Sequence, residues 1–118
     1  TALNATSHKG YVGVVSGLVV AGADKDKADN DGRTPLMCAA REGHVEVANT
    51  LVAAGADKDK ADDDGTTPLT CAAEDGHVEV VEMLVAAGAD KDKTDDDGTT
   101  PLVYMPLERV RGSLIVSA

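Results

Sequence analysis

Apolar residues fall in two short runs within each stretch of about thirty residues. One run is a Leu/Ala/Cys cluster, from Pro35 to Ala40 and again from Pro68 to Ala73. The other, Val45 to Ala53 and Val78 to Ala86, carries apolar residues at helical spacing. Val78, Val81, Leu84 and Val85 share one face of it, leaving Glu79 and Glu82 for solvent. This predicts a first helix over about 35–41 and 68–74, and a second over 45–53 and 78–86. Thr34-Pro35 and Thr67-Pro68 supply the openings, because the hydroxyl can cap and proline at the first helical position sacrifices no hydrogen bond. Gly43 and Gly76 stop the first helix, Gly55 and Gly88 the second. The polar stretches that follow, 56–66 and 89–99, centre on Asp-Gly and predict projecting turns.

The pattern is a repeat. Residues 29–61 and 62–94 agree at 24 of 33 positions, and Gly32, Gly65 and Gly98 fall in step, as do Pro35, Pro68 and Pro101. One such unit cannot bury its apolar face alone, so the units must stack into a single domain over 1–118. Residues 1–28 read as a degraded first unit without its opening turn, 29–61 and 62–94 as full units, and 95–118 as a partial, atypical one. Gly13 and Gly17 weaken the second helix of the first unit, making this the softer end. At the other end Pro106 interrupts the first helix, Arg109 replaces its terminating glycine, and Leu114 to Val116 form an apolar run. Truncated ends of this kind invite self-association of an otherwise monomeric chain. Without an initiating Met, a segment of a longer array is expected. The apolar stretch 11–23 has the look of a signal-peptide core, but it is in register with the repeat.

The series D-x-x-G-x-T-P-L-x-x-A-A-x-x-G-H-x-E-V, followed by G-A-D, resembles the ankyrin repeat over both full units. The resemblance implies an all-α solenoid of stacked helix-turn-helix pairs with projecting β-turns, acting as a non-catalytic protein–protein interaction module. In that family the turn tips and the exposed sides of the first helices line a concave surface. Carried over, this surface presents Asn30, Asp31, Arg33, Arg41 and Glu42 from the second unit. The third contributes Asp63, Asp64, Thr66, Glu74 and Asp75, and the fourth Asp96, Asp97 and Thr99. Met37 and Thr70 would form the floor. Two departures stand out. The family's histidine after Thr-Pro-Leu, a tie between repeats, is replaced by Asn4, Met37, Thr70 and Val103. The apolar residue after Gly-Ala-Asp is replaced by Lys25, Lys58 and Lys91, whose stems can still cover apolar surface.

Charge sharpens the choice of partner. The formal net charge is −10, and residues 62–94 alone carry −7. Such a chain repels nucleic acid and anionic lipid, and a basic patch on another protein is its electrostatic complement. No run reaches the ~20 apolar residues of a membrane span. Cys38 and Cys71 sit at equivalent positions, so they read as free thiols in successive layers, which favours a cytoplasmic or nuclear setting. No complete catalytic or cofactor motif is present, and none is expected. His44 and His77 each start an H-x-E without the cysteines of a zinc site, and read as structural. A calcium-loop register on Gly65 would put Lys60 first and Cys71 twelfth, where carboxylates belong. Two other readings stay open: a structural spacer whose acidic edge keeps it in solution, and weak divalent-cation binding by the clustered carboxylates.

Overall fold

The computed structural model describes residues 1–98 and Thr100. Six helices follow in order: α1 (Ala2–Lys9), α2 (Val12–Val20), α3 (Pro35–Glu42), α4 (Val45–Ala53), α5 (Pro68–Glu74) and α6 (Val78–Ala86). Each consecutive pair is one layer. The first helices α1, α3 and α5 stack in one row, and α2, α4 and α6 in a second row behind them. The result is an all-α solenoid. The atypical residues 101–118, including Pro106, Arg109 and the Leu114–Val116 run, lie outside the described residues.

Local chemistry sets each helix end. The Thr34 and Thr67 hydroxyls accept from the amides of Met37 and Thr70, each at 3.3 Å, and proline takes the first helical position. Thr1 caps α1 in the same way, accepting from Asn4 at 3.0 Å. All three second helices end in one geometry. The amides of Ala23, Ala56 and Ala89 donate back to Leu18, Leu51 and Leu84 across a left-handed glycine.

The core is thin and continuous. Leu36, Leu51 and Leu84 are 0% exposed, as are Val47 and Val80, so the apolar stripes of α3, α4 and α6 are closed by packing within and between layers. Val14 is the equivalent of Val47 and Val80 in the first described layer, and it is 49% exposed. The first unit nevertheless forms both of its helices.

At the position after Thr-Pro-Leu, only the first layer makes a polar tie to the next. There, Asn4 donates through Nδ2 to the Arg33 carbonyl at 3.1 Å, Met37 packs inside, and the Thr70 hydroxyl pairs with Thr67 at 3.2 Å within its own layer. The repeating tie is instead the histidine that opens α4 and α6. The ring Nε2 of His44 meets the His8 carbonyl at 2.9 Å, and that of His77 meets the Arg41 carbonyl at 3.0 Å. A carbonyl only accepts, so Nε2 holds the proton and donates. Gly10 and Gly43 make room for these rings. They have φ near 76–77°, and a Cβ on Gly43 would lie 2.6 Å from the His77 ring. A second tie repeats in the Asp-Lys-Asp-Lys stretches. The Asp57 and Asp90 amides donate to the carboxylates of Asp26 and Asp59 at 2.8 and 2.7 Å. Lys60 and Lys93 donate to the carbonyls of the same two residues.

These contacts separate two kinds of glycine. Gly17 lies inside α2 with nothing within 4 Å of a Cβ, so Gly17→Ala should raise stability by ~0.5–1 kcal/mol. Gly43→Ala should lower it by ~2 kcal/mol or more, since it adds left-handed strain to the loss of the histidine's seat. Urea denaturation of the two variants checks both signs.

Candidate functional site

The turn that precedes each first helix is built around its first aspartate. The Asp29 carboxylate accepts from the amides of Asp31 and Arg33 at 2.9 and 3.0 Å, and that of Asp62 accepts from Asp64 and Thr66, both at 2.9 Å. Asp95 accepts from the Asp97 amide at 2.9 Å. The amide of Arg33 is the main reason the Asp29 carboxyl is held below the usual carboxylate range. Neighbouring turns are then sewn together, with the Asp63 amide donating to the Asp31 carbonyl at 3.2 Å and the Asp96 amide to the Asp64 carbonyl at 3.1 Å. The tips therefore form one continuous edge.

Stacking brings these tips over the first helices and encloses a groove of about 300 Å³ that crosses the layers. Arg33 and Arg41 stand at its second-layer end. Asp62, Asp64, Thr66 and Glu74 follow from the third layer, and Asp95, Asp96 and Asp97 from the next turn. Seven of the residues expected on the concave surface thus meet here: Arg33, Arg41, Asp64, Thr66, Glu74, Asp96 and Asp97. Asn30, Asp31 and Asp63 are exposed on the tips outside it. Glu42 and Asp75 are exposed at the far ends of α3 and α5, and Glu42 approaches the His8 imidazole at 3.5 Å. Thr99 lies outside the described residues.

Two expected floor residues are corrected. Met37 and Thr70 are each 1% exposed, so Thr70 presents no surface to a partner and Met37 contributes only to the wall of a neighbouring cavity. Conversely, Asp62 and Asp95 line the groove although the repeat pattern marks them only as turn formers. A second cavity of about 380 Å³ lies beside the groove, between α1 and α3, and Arg33 and Arg41 line both. Its apolar wall includes Ala5, Met37 and Cys38, and Asn4 faces it from α1.

The arrangement offers charge and shape rather than reactive groups. Among the described residues, no group of three or more His, Cys, Asp and Glu side chains is placed to hold a metal ion. Both cysteines are free thiols. Burial pushes the Cys71 thiol up to about 12 and raises Cys38 as well, so both stay protonated and weakly nucleophilic near neutral pH. No helix among the described residues is long and apolar enough to cross a membrane.

This is the geometry of a binding solenoid, with paired helices stacked behind a hydrogen-bonded edge of turns. A family model of ankyrin repeats, described as three copies, matches residues 1–62 and 54–106. The chain belongs to the ankyrin-repeat family. Ankyrin repeats are in general protein–protein interaction modules, and the family is typically non-enzymatic. No curated protein matches the chain in a sequence search.

Because its ionisation is suppressed by burial, Cys71 stabilises the fold below the unfolded thiol value of about 8.5, and that contribution is lost as pH rises toward 12. Iodoacetamide at pH 8 should therefore leave native Cys71 unmodified and label half-buried Cys38 only slowly. Both should react promptly in denaturant. Rapid labelling of native Cys71, read by mass spectrometry, would contradict the packing described.

Proposed function

We propose that the chain is a non-catalytic protein-binding module whose concave groove takes a basic segment of a partner protein. The observation that carries this reading is the groove's lining, in which six carboxylates from two successive turns and α5 face two guanidinium groups. Stacking holds those carboxylates close together, and a segment rich in Lys or Arg relieves their mutual repulsion on docking. The groove has no Trp or Phe and no described aromatic in its walls, so it lacks the large anchors of tight apolar docking. Recognition by exposed charges is moderate in strength and screened by salt. The two free thiols suit a reducing, intracellular setting.

A lysine-rich peptide, Gly-Lys-Lys-Gly-Lys-Lys-Gly, serves as probe in a fluorescence titration. Binding should weaken several-fold between 50 and 300 mM salt. Replacing Asp64, Asp96 and Asp97 by Asn and Glu74 by Gln should remove ~2 kcal/mol, roughly thirtyfold in Kd, with helical content unchanged. If the peptide fails to bind at low salt, or binds the neutralised variant equally well, the acidic edge serves only as the solvated flank of a spacer.

A further inference from the structure

The groove is not uniformly acidic, and its exception is the two arginines at its second-layer end. Arg33 comes from the turn edge and Arg41 from the last turn of α3, and both line the groove and the adjoining cavity. Neither forms an ion pair with a described residue, although carboxylates line the same groove. The buried Nε of Arg33 has no hydrogen-bond partner. The Asp29 carboxylate, nearest in the chain, is occupied by the amides of its own turn.

A second observation points into the adjoining cavity. Asn4 is only 8% exposed, and its Nδ2 is committed to the Arg33 carbonyl, which fixes the amide's orientation. Its Oδ1 is buried with no hydrogen-bond partner. An unmet buried acceptor costs stability unless a donor reaches it. The two guanidinium groups line this cavity beside Asn4 and the apolar wall of Ala5, Met37 and Cys38. A purely basic segment matches the carboxylates but would be repelled here. A carboxylate suits the pair of guanidinium forks.

Resting on the concave-groove reading above, we propose that the partner segment is dipolar. One carboxylate, from an Asp or Glu side chain, sits between Arg33 and Arg41. The basic residues lie further along, over Glu74, Asp64, Asp96 and Asp97. Stacked helices stand ~8–10 Å apart, and an extended chain advances ~3.3 Å per residue. One to two layers therefore separate the carboxylate from the basic residues by about three to six positions. The surface thus selects the order and spacing of charges, beyond simple positive charge.

The test compares the lysine-rich heptapeptide with two relatives, in which Glu-Gly-Gly precedes it or Gly-Gly-Glu follows it. One glutamate peptide, whichever matches the chain direction in the groove, should bind about tenfold tighter than the plain peptide despite its lower net charge. In Arg33→Ala/Arg41→Ala that advantage should vanish, the ratio of plain-peptide to glutamate-peptide Kd falling from about ten to about one. The double Lys variant keeps the charges and loses the forks, so it should retain only part of the advantage. Circular dichroism establishes that each variant keeps its helices. If neither glutamate peptide exceeds the plain one, or if the advantage survives loss of both arginines, the dipolar reading is wrong while the basic-segment reading stands. If none of the three peptides binds, both readings fall.

Discussion

Everything in this molecule depends on one layer closing the face of the next. A helix pair of this size exposes too much apolar surface to stand alone, and the side chains available to cover it are mostly Val, Leu and Ala. Val47 and Val80, which pack against the layer before, are fully buried, whereas Val14 in the first described layer is half exposed. Close approach is therefore essential, and it is set at narrow points. Gly43 gives up its Cβ so that the His77 ring can sit against it and reach the Arg41 carbonyl. The Lys25 and Lys58 stems lie across Gly55 and Gly88 in the same spirit, their Cε atoms 3.6 and 3.7 Å from where a Cβ would be. A lysine stem thus covers the neighbouring layer where this family commonly uses an apolar residue.

The same constraint makes the surface. An isolated Asp-Asp-Asp-Gly turn is a well-solvated loop of little consequence. When stacking and the ladder from Asp96 to Asp64 fix one such turn beside another, the carboxylates can no longer separate. The first aspartate of each turn closes that turn, and the second and third are left to face solvent and whatever docks there. Repulsion among them opposes the stack, and buried leucines such as Leu36, Leu69 and Leu84, each contributing ~1.5–3 kcal/mol on burial, offset it. Binding a complementary segment then relieves a strain that the core has already accommodated.

Much of this was legible in the residues, for a physical reason. Helix period, Thr-Pro caps and left-handed glycines are local signals, and they place α4 and α6 at Val45–Ala53 and Val78–Ala86 as the spacing predicts. Seven groove residues were legible because they follow from position within the repeat. What was not legible depends on the distance between layers. Met37 and Thr70 hold positions that the family pattern assigns to the concave side, yet both are 1% exposed, and burial that depends on packing between layers is not revealed by a single repeat. The Asp-Lys-Asp-Lys stretches look like a plain charged loop, yet Asp26, Asp59, Lys60 and Lys93 bond across layers more than thirty residues apart. Asn4 looks like a simple departure from the family pattern. Only the packing of α1 on α3 shows that its side chain holds the Arg33 carbonyl and leaves an acceptor beside two arginines.

The proposed binding face of the stack runs along the turn edge and the first helices. A two-dimensional NMR titration of the labelled protein with the lysine-rich heptapeptide tests it most directly. The account predicts shift changes concentrated in the amides of 62–66 and 95–98 and around Glu74, with α2, α4 and α6 undisturbed. Changes centred instead on the second helices near His44 and His77, or scattered evenly over the surface, would contradict it.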